Sequence, residues 1–485
     1  MQRLPHQGRL FLSLWLVLVF FGDPLLEINT VRYLFLSRAV AEDRSFMVDR
    51  FAHSSKGDLA VSDGHYYSGS LPGIGLMLSP VAALAHGSRD TAPFRPNLWL
   101  QILSLILFNA PAAALSAVLL GQVLVAFGNT PSRSFLLAVT AVLGTHLFFF
   151  TSKLSDYPIV TLLELIIIRA VMSARVLERK SLLLLIGGSL GIIATVNNLP
   201  AALMVLLLLF MFPLRPGTEF IRRWFFIILG AAPCVIARSL YLKQCFGSAL
   251  IDPLAYSAAK ISVVDMAREG SVLARIIAEA PRALFDITFG PVGLFLFAPV
   301  FLLLLLPIID RSQGQSALHV SWRKCILLLA LLNALAHCLL IGGIWRGGAS
   351  WGPRYMLYSS TLLFIPMAYF ARGIRDRSLA LLAAVSVFIN WIGVQYGYND
   401  SLLDELGLFL LGGPTTPAFK LMWLHWAIVP SPERIALVME ETPRIGHYYA
   451  FTHPTPVVLY ATLALLLILV WLPICSRFLR RDRPL

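Results

Sequence analysis

Long apolar stretches recur along this chain with short polar intervals between them. They fall at roughly 10–26, 97–126, 134–151, 158–174, 182–198, 200–214, 224–243, 287–309, 325–344, 355–371, 379–395 and 456–475. A helix of about 20 apolar residues crosses the ~30 Å hydrocarbon core of a bilayer, and it satisfies its own backbone N–H and C=O groups where no water can. The succession predicts an all-α fold: a polytopic transmembrane helix bundle of about twelve spans with extracytoplasmic loops. Residues 1–485 would then form a single multi-pass membrane domain. A hydrophobic share of 58% against 13% charged residues, with a mean hydropathy of +0.76, argues against a soluble multidomain chain.

The formal net charge is +13. Lys and Arg nevertheless fall in short clusters at the ends of apolar runs instead of gathering in one stripe, so they read as topology signals and no nucleic-acid partner is expected. With the N-terminus inside, every cytoplasmic segment is basic: Arg133; Arg175, Arg179 and Lys180; Arg215, Arg222 and Arg223; Arg311, Arg323 and Lys324; Arg372, Arg375 and Arg377; and Arg477, Arg480, Arg481 and Arg483. The expectation is an integral protein of the cytoplasmic (inner) membrane with both termini cytoplasmic. Arg3 and Arg9 precede the first apolar run as in a signal peptide. The A-x-A triplet Ala39, Val40, Ala41 lies far beyond that run, so the first helix is expected to stay uncleaved. Cys234, Cys325, Cys338 and Cys475 fall in or beside apolar segments and Cys245 in a polar loop. Neither a disulfide framework nor a CxxC metal site follows from that pattern, and any cofactor stays unknown.

This topology puts residues 27–96, 244–286 and 396–455 on the outer face, with short outer loops around Lys153–Asp156 and Trp345–Pro353. The cytoplasmic loops are short, and neither an internal repeat nor an appended domain is visible, so the chemistry is expected at the outer membrane surface. In the first outer loop, Arg32, Tyr33, Phe35, Leu36 and Val40 give a mixed apolar and polar face at helical spacing, as in a helix lying on the interface. The apolar run Pro72–Ala85 is too short to span and reads as re-entrant or interfacial.

Glu27, where the first helix leaves the membrane, is either a carboxylate that stops the helix or a general base, which needs a partly dry cavity beside an acceptor hydroxyl. Asp49 is the alternative base. His65, Tyr66 and Tyr67 are either a substrate surface or an interfacial aromatic belt. Lys153 and Asp156 share the tiny loop at the lip of the bundle, where they either pair or bind substrate. Arg346 and Arg354 flank a glycine-rich outer loop, and a guanidinium there either grips a phosphate with two donors or anchors the interface. Glu164, Arg169, Arg238 and His337 lie inside apolar runs, where an unpaired charge costs at least about 2.5–3.5 kcal/mol, so structural roles facing protein are expected.

Taken in order, these pieces resemble the GT-C superfamily of polytopic glycosyltransferases, such as protein mannosyltransferases and aminoarabinose transferases. The first piece is Glu27 through Asp49, where an acidic residue is followed by Arg32 and Tyr33. The second is Asp63, Gly64, His65, Tyr66, Tyr67, Ser68, then Pro72, Gly73 and Pro80, similar to the family's G-x-Y-Y-S-x-K-x-P-G. Ser152 to Pro158, Phe246 to Ser248, Gly290 to Pro299 and Gly347 to Tyr355 complete the match. The sequence departs at the family lysine, which falls at Ser70, and at a basic residue after the fifth span, replaced by Asn197 or Asn198. The resemblance implies a membrane glycosyltransferase that moves a sugar from a polyprenyl-phosphate carrier to an acceptor hydroxyl on a glycan, lipid or protein. Glu27 or Asp49 would be the base, and Lys153, Arg346 or Arg354 would serve the lipid phosphate. The rival classes are a multi-pass transporter or lipid flippase, for which an internal repeat around a midplane site would speak, and a catalytically inactive relative, which Ser70 in place of lysine would favour.

Overall fold

The computed structural model describes residues 6–22, 28–54, 59–85, 98–173, 179–212, 218–256, 281–282, 284–290, 293–305, 317–340, 353–396, 464–468 and 470. Most of these are helical: α1 (Gln7–Phe20), α2 (Ile28–Arg38), α3 (Gly73–Leu84), α4 (Leu98–Ser104), α5 (Ala110–Ala126), α6 (Pro131–Leu143), α7 (Leu147–Ser152), α8 (Tyr157–Val171), α9 (Lys180–Val196), α10 (Asn198–Met211), α11 (Thr218–Phe246), α12 (Leu294–Phe297), α13 (Ala317–Leu340), α14 (Leu357–Phe370) and α15 (Asp376–Tyr396).

Three helical stretches among the described residues, Leu100–Ala126, Thr218–Phe246 and Asp376–Val394, are long and apolar enough to cross a membrane. At 1.5 Å per residue they measure roughly 28 to 44 Å. The expectation of about twelve spans goes beyond these three, and several other apolar runs are cut by their own sequence. Gly144 ends α6 before α7 begins. Asn197 is extended, at φ −154°, between α9 and α10. The run 287–309 breaks into the four-residue α12 and a 3-10 helix, Pro299–Leu305, since a proline cannot donate to the turn before it.

Helix α5 packs against α1, α6 and α8 at the centre of the main core. Its alanines Ala110, Ala112, Ala113, Ala114 and Ala117 are buried, and such small side chains let neighbouring backbones approach closely. Helix α9 lies along α11 through glycines: a Cβ on Gly187 would meet the Ile227 carbonyl oxygen at 2.0 Å, and one on Gly230 the Leu184 carbonyl oxygen at 2.4 Å. A π turn, Leu105–Asn109, joins α4 to α5. It frees the Ile106 carbonyl to accept from Trp15 Nε1 at 2.9 Å and points Asn109 Nδ2 at the Lys153 carbonyl, 2.7 Å away.

The segment after α1 departs from the sequence reading in two ways. Helix α2 does not lie on an interface: Val31, Tyr33, Leu34, Phe35, Leu36, Ser37 and Arg38 are all buried, so protein covers it on most sides, with α3 against one face. The all-α expectation also needs an addition, the antiparallel hairpin β1 (Leu59–Ser62) and β2 (His65–Ser68). Asp63 and Gly64 close it with φ of 50° and 82°, the two positive values that a type I′ turn requires. Helix α3 then packs on α2 and α9, and only glycine fits its first turn: a Cβ on Gly73 would lie 2.5 Å from Thr195 Oγ1, and one on Gly75 2.7 Å from Leu36.

Candidate functional site

Four chain segments converge: α2, the Lys153–Asp156 turn before α8, the Asn197 break before α10, and the Arg354–Met356 3-10 turn before α14. Their side chains form a buried polar cluster. Tyr358 donates its hydroxyl to Asp156 Oδ2 at 2.8 Å and accepts from Asn197 Nδ2 at 2.8 Å. Asn197 holds that pose because its Oδ1 caps α10, accepting from Leu199 N at 3.0 Å. The Tyr157 ring lies 4.9 Å from that of Tyr358 and closes one side.

Two guanidiniums lie near enough for their charge to act on the Asp156 carboxylate. Arg32 reaches the Tyr33 hydroxyl at 3.2 Å and Arg354 the Tyr355 hydroxyl at 3.1 Å, each also stacking over its neighbour's ring. Burial raises the Asp156 carboxyl above its ordinary pKa, against the opposing pull of the Tyr358 hydroxyl, Arg32 and Arg354. Arg32 and Arg354 also feel each other's charge. Arg354 Nε is buried and has no hydrogen-bond partner among the described residues. An oxyanion arriving between the arginines would meet an unused donor and relieve their mutual repulsion.

The remaining sequence candidates divide between this cluster and its surroundings. Lys153 is buried at its edge with the ammonium 4.6 Å from the Phe149 ring centroid. Asp49 is engaged elsewhere: Oδ1 accepts from Tyr66 N at 2.6 Å and Oδ2 faces His65 Nδ1 at 2.7 Å, so the carboxylate fastens the 3-10 turn Asp49–Ser54 to the hairpin. His65 and Tyr66 are exposed, while Tyr67 points inward, edge-on to Phe246 at 5.5 Å. Tyr67 lines a cavity of about 150 Å³ with Arg44, Ser45, Phe46, Gln244 and Cys245. Ser70, at the place of the family lysine, pairs with Ser68 Oγ at 3.0 Å. Glu27 and Arg346 lie outside the described residues.

The loop that carries these groups is fixed by its own ion network. Glu42 bonds to Arg38 at 2.7 Å and to Arg50, and Arg50 also reaches Asp43 at 3.1 Å. Burial alone would raise Glu42, but the hydrogen bonds and charges of Arg38 and Arg50 outweigh it and hold its pKa below the ordinary value. Phe51 lies under both arginines, 4.8 and 4.5 Å from ring centroid to guanidinium carbon, and stacks on Phe35.

Sequence reasoning missed Tyr358 and Tyr157 and gave Arg32 no role at the site beyond its place in the motif. A tyrosine at the start of an apolar run carries the same signal as an interfacial anchor, and only the packing of α8 against α14 brings the two together. Of the charged residues within apolar runs, Arg238 donates to the Ala194 carbonyl at 2.8 Å. Glu164 is fully buried with neither oxygen partnered among the described residues.

No family model matches this chain, and no curated protein or solved structure matches it.

Proposed function

We propose that this protein is a multi-pass membrane glycosyltransferase that moves a sugar from a polyprenyl-phosphate carrier to an acceptor hydroxyl on the extracytoplasmic face. The observation that carries the reading is the buried Asp156 carboxylate near Arg32 and Arg354 where the first outer loop meets the starts of α8 and α14. Such a pair of guanidiniums suits a phosphate that gains charge as its bond to the sugar breaks, since donors fixed in advance stabilise developing charge at no cost in reorganisation. Asp156, oriented by Tyr358 and Asn197, balances the two cations while the phosphate is absent.

In this reaction the acceptor oxygen attacks the anomeric carbon, the carbon–oxygen bond to the phosphate breaks with its electron pair, and the lipid phosphate leaves. The acceptor proton passes to a carboxylate. Glu27 takes that role here, because it immediately precedes α2 in the chain and because both oxygens of Asp49, the other candidate, are committed to the hairpin. The bundle of about twelve spans, its position in the inner membrane and its cytoplasmic termini belong to the same proposal, supported by the basic clusters between apolar runs and the three long apolar helices.

Binding of a polyprenyl phosphate to purified protein tests the assignment. Arg354→Gln is expected to weaken that binding at least about tenfold, the worth of one lost charge-assisted contact. Ser70→Ala, which removes only a hydroxyl bonded to Ser68, should bind as the parent does. Equal binding by parent and Arg354→Gln would remove the phosphate from this site.

A further inference from the structure

A groove of about 580 Å³ runs between α1, α6 and α15, lined among others by Phe21, Leu136, Ala380, Ala384, Phe388 and Trp391. Its one hydroxyl, on Thr140, is already bonded to the Leu136 carbonyl at 2.8 Å, so the groove offers a ligand almost entirely apolar contact. Small residues make the floor along α15, and the distance from Ala380 to Trp391 is roughly 16 Å, about the reach of an extended acyl chain.

The mouth of the groove is basic. Arg377, Ala380, Ala384, Phe388 and Trp391 recur at three- and four-residue intervals, which places Arg377 on the same face of α15 as the groove and one turn before it. Arg377 and its neighbour Arg375 are exposed and form no ion pair among the described residues. The nearby carboxylate, Asp376, is held by Arg133 at 2.6 Å, and Arg133 also donates to the Ala371 and Ile374 carbonyls. The uncommitted guanidinium of Arg377 therefore stands one turn before the apolar slot, with that of Arg375 beside the start of the helix.

We propose that this groove is a binding site for one anionic phospholipid, its phosphate held by Arg377 and Arg375 and one acyl chain lying along Ala380, Ala384 and Phe388. The inference rests on α15 spanning a bilayer but not on the proposed sugar transfer. In the proposed topology the mouth opens on the cytoplasmic leaflet, whose surface carries anionic lipid.

Native mass spectrometry of the detergent-purified full chain, titrated separately with phosphatidylglycerol and phosphatidylcholine, tests it. The parent is expected to retain one phosphatidylglycerol and to prefer it over phosphatidylcholine. Arg377→Gln should abolish that preference, and Ala384→Trp, which fills the slot with an indole, should lower retention of both lipids about tenfold. Leu381→Trp adds the same bulk at an exposed position outside the groove and should behave as the parent. Thermal unfolding with and without phosphatidylglycerol guards against misfolded variants: the lipid should raise the midpoint of the parent and of Leu381→Trp and leave that of Ala384→Trp unmoved. Equal retention of the two lipids by the parent, or equal loss in Ala384→Trp and Leu381→Trp, overturns the site. Release of the protein from membranes by alkaline carbonate would instead overturn the spanning of α15.

Discussion

At the scale of single residues, the site depends on which carboxylates are free to react, and sequence could not decide that. In sequence, Glu27 is the first candidate base and Asp49 the alternative, both acids of one polar loop. The hydrogen bonds from Tyr66 N and His65 give Asp49 a structural task, tying the Asp49–Ser54 turn to the hairpin, and the proposed base is therefore Glu27. Asp49→Asn should accordingly leave sugar transfer within about tenfold of the parent, while Glu27→Gln lowers it by two to four orders of magnitude, the usual worth of a general base. Steady-state turnover of the two variants separates the roles, and the reverse ranking would return the base to Asp49. Glu42 gives a pH test of the loop. Because its folded pKa lies below the ordinary 4.5, its contribution to stability is present above that value and is lost as pH falls through the folded pKa. Limited proteolysis should therefore cut the 39–54 segment faster once the pH drops well below 4.5, and Glu42→Gln should be cut readily at neutral pH as well. Cleavage that does not change with acid would contradict the ion network as the loop's fastening.

At the scale of elements, most of the helices were legible and the contacts that position them were not. Apolar runs of helical length announce α5, α11 and α15 directly. The hairpin also has a signal in the sequence, the Asp63–Gly64 pair of a type I′ turn, but the residues around it carry the family motif as well, and that reading does not ask for a turn. The mixed face of α2 suggests an interfacial helix, whereas its arginines Arg32 and Arg38 turn toward Tyr33, Glu42 and Phe51 inside the protein. The α9–α11 contact depends on glycines whose spacing alone does not name a partner. Gly187→Val would drive a side chain into the Ile227 carbonyl, and the cost should be about 1–3 kcal/mol or more, read as a lower unfolding midpoint in detergent. An unchanged midpoint would mean that the two helices are free to separate.

At the scale of the whole molecule, sequence indicated a helical, membrane-compatible chain and a working surface at the first outer loop, but not the junction of four distant segments at Asp156. That junction pairs residues about 200 positions apart, Asp156 with Tyr358, and no local pattern encodes such a contact. The proposed orientation can be read in intact cells: cysteines introduced at Ser55 and Thr415 should react with an impermeant thiol reagent and one placed in 476–485 should not, the opposite pattern requiring an inverted chain. The central claim is that Arg32, Asp156 and Arg354 form the donor site of a sugar transferase. Its most direct measurement is the release of polyprenyl phosphate when purified protein is given a panel of polyprenyl-phosphate sugars with a hydroxyl acceptor. The account predicts that the parent consumes at least one of these donors and that Arg354→Gln does so about 10² to 10³ times more slowly, as expected when one stabiliser of the leaving charge is removed. A parent that consumes none of them, or an Arg354→Gln protein that matches the parent, would contradict it.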